Sequence, residues 1–366
     1  MEKFDVAVVG GGVMGCSTVL HLSRNQMRTI IIDSGALCRE ASGTNAGTLT
    51  LNMTRAALIP YAIKGWELWN STEKWLHSSI GTRKVNGLSL AFTEEEEELL
   101  YDRVQARQAM GAPIKLISGK KAQRLEPGLN NSVRSAAWCA KDGFTSAYLT
   151  GHAFKRALTQ ENSAVMEYSK VKGIENDKNN FKIYLENNEH LIAKRIVLAG
   201  GVWLEDMLNW LNVKIPIKCL INQLIITERM PQVMKTVLSI ANGLLSLKQF
   251  DNGTVMIGGG WQGLGDKERG GVEAIPENLK GNIRLACHVI PELCYGRMVR
   301  VWLGLEAETA DALPVIGNVP GISNAYVIGS VHSGYTSGPY MGWLLSQFIM
   351  GQETEMPLFD PSRLIN

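Results

Sequence analysis

Glycines 10, 12 and 15, spaced G-x-G-x-x-G, are the residues whose pattern points most directly to chemistry. Each has a separate physical task in a phosphate-binding turn. Gly10 permits the tight turn, Gly12 lets backbone approach a pyrophosphate, and Gly15 lets a helix pack closely on a strand. Val13 and Met14 lie within the turn, just before the helix whose free N–H groups and positive dipole end meet phosphate charge. Asp33 stands where a carboxylate accepts hydrogen bonds from ribose hydroxyls.

The flanking residues supply the elements that must hold this turn. Residues 4–9, Phe-Asp-Val-Ala-Val-Val, read as a strand buried in a parallel sheet. Residues 16–23 read as a helix, and residues 28–33, Arg-Thr-Ile-Ile-Ile-Asp, as a second strand. Strand, turn, helix, strand and acid all fall within about 30 residues, which predicts dinucleotide binding over an inconsequential glycine-rich turn. The turn alone leaves FAD and NAD both open.

The chain has 366 residues, 45% apolar and 20% charged, enough for two or three domains with a sizeable core. Its 37 basic against 35 acidic residues leave a net charge of +2. No concentrated basic surface suggests nucleic acid or a polybasic membrane contact. The apolar run Trp343-Leu344-Leu345 is broken by Ser346, Gln347 and Gly351, short of the ~20 residues that span a bilayer. Residues 1–5 carry no signal-peptide pattern, so a cytoplasmic location is expected. The six cysteines form no CxxC pair and read as reduced thiols with no metal or iron–sulfur site. The acidic run Glu94–Glu98 follows Thr93 in a capping-box pattern and reads as a solvated helix start. His21 and Trp66, Trp69 and Trp75 read as packing residues.

Arg39-Glu40-Ala41-Ser42-Gly43-Thr44-Asn45-Ala46-Gly47, after the second strand, resembles the cofactor-wrapping segment of D-amino-acid-oxidase-like flavoproteins, a family that includes glycine and sarcosine oxidases. Four later stretches resemble the same family in the same order. They are Ile196 to Trp203, Pro216 to Gln223, Thr309 to Gly317 (a T-x-D-x-x-P-x-I-G element) and Gly329 to Pro339. The resemblance implies an α/β fold: a Rossmann-like, glutathione-reductase-type FAD domain interleaved with an α+β substrate domain built on an antiparallel sheet. Residues 1–87, 145–215 and 300–366 would form the first, and 88–144 and 216–299 the second. Strands are expected at Cys219–Thr227, Leu244–Lys248 and Thr254–Ile257, with a hairpin turn at Asp251-Asn252-Gly253.

The resemblance also implies FAD contacts at Gly10, Gly12, Val13, Met14, Gly15, Asp33, Ser34, Ser42, Gly43, Asn45, Ala46, Gly47, Val171, Gly200, Trp203, Gly304, Gly329, Ser333, Gly334, Tyr335 and Thr336. The chemistry implied is hydride transfer to flavin N5 from a carbon next to nitrogen in an amino acid. His332, Tyr335 and Glu306 are the candidate catalytic residues. Sarcosine oxidases tether FAD through a cysteine where this chain has Gly304, so non-covalent FAD is expected.

Amino-acid oxidases of the family often place an arginine, which clamps the substrate carboxylate, where Glu306 stands. A carboxylate cannot hold another, so the substrate acid binds elsewhere or the substrate presents a cation. A solvent-facing Glu306, or one paired with Arg300, is the structural alternative. With Asn222-Gln223 replacing the usual Gly-Gln, these departures resemble the flavin-bearing subunits of heteromeric dehydrogenases such as opine oxidases, hydrogen cyanide synthase and proline dehydrogenases. That resemblance implies a larger flavin and iron–sulfur partner, with FMN at their interface as a further option. A stand-alone peroxide-producing oxidase and a non-catalytic flavin subunit are the alternatives.

Overall fold

A computed structural model describes residues 3–177, 180–268, 271–330 and 334–365. Two eight-stranded sheets organise the chain. In the first, Lys3–Val9 lies parallel between Thr29–Ile32 and His190–Leu198. Ala164–Met166 extends one edge, and Ala325–Gly329 runs parallel to the end of His190–Leu198. An antiparallel set, Val171–Asp177 and Asn180–Leu185, completes the other side.

The first strand is apolar at almost every position because both its faces are covered. Val6 and Val8 enter the core beneath the first and last helices, while Phe4, Ala7 and Val9 enter the opposite one. Each buried valine contributes about 1.5 kcal/mol or more by area. Such continuous apolarity is what a doubly covered parallel strand requires.

The second sheet runs Met298–Glu308, Lys218–Arg229, Thr254–Gly258, Ser246–Gln249, Val237–Ile240, Gly87–Ala91, Ser135–Cys139, Ile114–Ser118. It is antiparallel except where Val237–Ile240 lies parallel to Gly87–Ala91. Phe250 to Thr254 closes the expected hairpin, with Gly253 at φ +86°. The strand Met298–Glu308 pairs with Lys218–Arg229, so the change of sheet falls after residue 308 rather than at 300.

The T-x-D element makes that change. Asp311 accepts from Thr309 Oγ1, the Leu313 N–H and Arg363 Nε, at 3.0, 3.0 and 2.8 Å. The Arg363 guanidinium, with these donors, holds the Asp311 carboxyl down at about 2. The acidic run opens the helix Glu94–Ala109, where Thr93 Oγ1 accepts from the Glu96 N–H at 3.2 Å. His21 is half-buried and stacks on Trp75, and burial of its ring pushes the imidazole down to about 4. Both are structural, as their sequence context predicts.

Candidate active site

One cavity of about 1530 Å³ joins the glycine turn to the inner face of the second sheet. Single drug-sized ligands occupy ~300–1,000 Å³, so this volume suits a dinucleotide together with a smaller molecule. Its first wall is the turn itself. Gly10 adopts φ +111°, and a Cβ there would sit 2.3 Å from Ala199 O. A Cβ at Gly15 would meet Gly10 O at 2.2 Å, so the helix Val13–Arg24 could no longer pack on its strand. At Gly12 the contact is ordinary: only Ser42 Oγ, at 3.4 Å. Space beside Gly12 is therefore cavity. A pyrophosphate at the helix start fits it.

Asp33 borders the same wall, but its carboxylate also shapes the turn. Oδ2 accepts from the Gly11 N–H at 2.6 Å and Oδ1 from the Gly35 N–H at 2.7 Å. Burial raises its carboxyl above the usual range, partly offset by these two bonds. Each oxygen keeps a lone pair for ribose. Asp33→Ala is expected to weaken FAD binding by about 1–3 kcal/mol, read as a 5- to 150-fold change in Kd by flavin fluorescence titration. Unchanged affinity would restrict Asp33 to the turn.

Ser42 Oγ accepts from the Val13 N–H at 3.1 Å, pinning the wrapping segment to the helix start. Asn45 Oδ1 accepts from the Gly47 N–H at 2.7 Å, a local turn. Ser42, Asn45 and Ala46 line the cavity together with Val13, Met14, Ser34, Val171, Gly200 and Trp203. Gly43 and Gly47 do not. They allow backbone crossings instead, since a Cβ would stand 2.1 Å from Cys38 O at the first and 2.2 Å from Thr145 O at the second.

The C-terminal loop forms the next wall. Gly329, Ser330, Gly334, Tyr335 and Thr336 line it. Ser330 Oγ is buried with no partner among the described residues, which suits a wall that meets a polar ligand. Thr336 Oγ1 accepts from the Thr50 N–H at 3.2 Å. The Tyr335 ring stacks on Trp69 at 4.8 Å, and its hydroxyl lies 2.7 Å from Thr150 Oγ1 in the core. Burial raises that phenol far above its ordinary value, so it is held neutral. The geometry gives the Tyr335 hydroxyl a packing partner rather than a substrate. His332 and Ser333 lie outside the described residues.

Strands Lys218–Arg229 and Met298–Glu308 form the far wall. Gly304 is opposite Asn222, and a Cβ on Gly304 would fall 2.4 Å from Thr44 Oγ1. The wrapping segment is drawn onto this strand, and Trp302 Nε1 donates to Thr44 O at 2.9 Å. Gly304 itself carries no side chain that could tether a flavin. Glu306 faces the cavity and accepts from Asn222 Nδ2 at 2.5 Å, whereas Arg300 lies at the exposed start of the strand, opposite Ile226. Gln223 donates to Gln262 O at 3.0 Å and accepts from the Ile275 N–H at 2.9 Å, tying Gln262 and Ile275 to the far wall.

Sequence reasoning missed several wall residues: Gly11, Arg39, Lys170, Arg103, Arg107 and the side chain of Gln223. Among the described residues no group of three or more acidic, histidine or cysteine side chains could hold a metal. No helix among them is long and apolar enough to cross a membrane.

The comparisons agree with this geometry. The family model for FAD dependent oxidoreductases (DAO) matches residues 5–348. Glycine oxidase of Geobacillus kaustophilus (strain HTA426) is 24% identical over 368 residues, covering 98% of this chain and 96% of that protein. A subunit of the opine oxidase of Rhizobium meliloti is 26% identical over 351 residues, covering 92% and 90%. Among solved structures, L-proline dehydrogenase from P. horikoshii superimposes with a TM-score of 0.90 at 21% identity, over 99% and 98% of the two chains. None of these names points to FMN. Bound FAD would supply the two-electron acceptor, and the glycine turn, residues 42–46 and the C-terminal loop described above are the walls that would hold it. This chain belongs to the DAO family of FAD-dependent oxidoreductases.

Proposed function

We propose that this enzyme oxidises a C–N bond in an N-substituted amino acid, of the opine or imino-acid kind, as the flavin-bearing subunit of a heteromeric dehydrogenase. The observation that carries the reading is the far wall. Where the family's carboxylate clamp would stand, Glu306 faces the cavity, oriented by Asn222. A carboxylate there suits a substrate with a cationic or amide-bearing end, as arginine-derived opines have. Similarity to an opine oxidase subunit supports the same choice. Imine formed at the oxidised carbon would then hydrolyse in water.

This chain's own contribution is orientation and exclusion of water. Gly304 and Trp302 draw the wrapping segment onto the far wall, and Gln223 ties Gln262 and Ile275 to the same wall. We assign Tyr335 to positioning the C-terminal loop, its hydroxyl being engaged by Thr150. The six free cysteines suit a cytoplasmic location. A larger partner would carry electrons onward, since the chain holds no CxxC pair of its own.

A stand-alone oxidase is the second reading, favoured by similarity to glycine oxidase over nearly the whole chain. The purified FAD-loaded chain separates the two. Flavin bleaching by an opine or proline without peroxide supports the subunit, while peroxide release in air supports the oxidase. Bleaching by no amine would leave a non-catalytic flavin subunit. Glu306→Gln is expected to raise KM for cationic substrates about tenfold or more, with little change for neutral amino acids. Equal effects on both classes would make Glu306 structural.

A further inference from the structure

The helix Glu94–Ala109 turns its C-terminal half to the cavity, and Arg103, Ala106 and Arg107 line it there. Arg107 is 8% exposed. Its Nε donates to Thr54 O at 2.8 Å, and its two Nη groups take no partner among the described residues. Arg103 donates to Ala241 O at 2.5 Å and likewise meets no carboxylate there within ion-pair distance. Asp142 acts on Arg107 only from a distance, because its oxygens are taken by Thr50 Oγ1 at 2.7 Å and the Leu51 N–H at 2.8 Å.

Two cations one helical turn apart, one of them buried, are costly without an anion. Burial, with repulsion from Arg103, pushes the Arg107 guanidinium down to about 10. It stays charged at neutral pH. Asn52, in the same wall, keeps Oδ1 buried without a partner among the described residues, an acceptor suited to a ligand N–H.

We propose that Arg107, with Arg103 beside it, forms the carboxylate subsite of this enzyme, taking over from helix Glu94–Ala109 the task that Glu306 cannot perform. The inference rests on the amino-acid reading above. It deepens it by placing the substrate's acid. A guanidinium presents two parallel N–H donors that match a carboxylate in bidentate fashion. The substrate class is then an amino acid with a free carboxylate, held from the helix, whose remaining end faces the strand wall.

The test uses the FAD-loaded enzyme and acetate as the probe, followed by perturbation of the flavin absorbance, with chloride as control. Kinetics then compare the amino acid that bleaches the wild-type flavin with its amine lacking the carboxylate. Arg107→Met is expected to weaken acetate binding and raise KM for the carboxylate substrate about 10- to 100-fold, leaving the amine unaffected. Arg107→Lys should fall between. If Arg107→Met does not fold, Arg103→Met and Arg107→Lys decide, each with a smaller loss of the same selectivity. Wild-type acetate affinity and KM in the folded variants would overturn the subsite, as would chloride binding equally well while substrates are unaffected. A wild-type flavin bleached by no amino acid, with acetate binding lost in Arg107→Met, would keep the subsite and sink the functional reading.

Discussion

Gly12→Val is expected to give a folded protein that no longer holds FAD. Gly12 sits at φ −69°, ψ 173°, extended backbone that valine adopts readily. Its Cβ would touch only Ser42 Oγ, at 3.4 Å, so the fold has no reason to reject a side chain. The valine methyls would instead fill the space at the helix start, where the pyrophosphate meets the backbone N–H groups. Displacing it should weaken FAD about 100-fold or more, equivalent to ~2.7 kcal/mol. Gly10→Val and Gly15→Val are different in kind, because the added Cβ itself strikes Ala199 O and Gly10 O. They should destabilise the apoprotein itself. Thermal melts of apoprotein beside FAD titrations separate the effects. A Gly12→Val enzyme with native flavin affinity would mean that the turn holds no phosphate.

Trp69→Ala is expected to carry the largest cost in stability, about 3–5 kcal/mol, as large aromatic truncations in cores do. Trp69 is wholly buried, stacks on Tyr335 with the rings 12° apart, and donates from Nε1 to Tyr335 O at 2.9 Å. Truncation opens a cavity and strands a buried carbonyl. It also frees the loop that lines the cavity at Gly334–Thr336, so FAD affinity should fall along with stability. Trp69→Phe restores most of the packing without the hydrogen bond, and should cost nearer 1–3 kcal/mol. Urea midpoints of apoprotein and holoprotein measure both losses. A Trp69→Ala protein as stable as wild type would contradict the packing described.

The strand-turn-helix unit was legible because local chemistry dictates it. Phe4–Val9, the three glycines and Asp33 each state their role within a few residues. The acid's second task was not legible: pinning the Gly11 N–H is a contact across 22 residues that no local pattern encodes. Gly43 and Gly47 read as cofactor contacts because glycine looks alike wherever backbone comes close, to a ligand or to another strand. The arginines were hidden by their setting. Only the start of the helix Glu94–Ala109 stands out in the sequence, Glu94–Glu98 reading as a solvated first turn, yet further along its buried stripe runs Leu100, Val104, Arg107. A cation at the third position of an apolar stripe was the signal available. Glu306 stood out because it broke a pattern, and the structure places it on the cavity wall.

The pairing of distant strands bears on how the molecule is made. Val6 pairs with Arg195, and Leu198 with Val327. The helices Val13–Arg24 and Gly338–Ile349 interlock where Gly342 meets Ser17, and Ser17 Oγ donates to Pro339 O at 2.6 Å. At ~5–20 residues per second on the ribosome, the first strand waits about 10–40 s for its partner near residue 195. The glycine turn waits longer for its closing helix. No finished N-terminal unit can leave the ribosome early, and apolar strand edges stay uncovered until nearly the whole chain has emerged. The contact between these two helices, which closes one end of the cavity, can therefore form only late in synthesis.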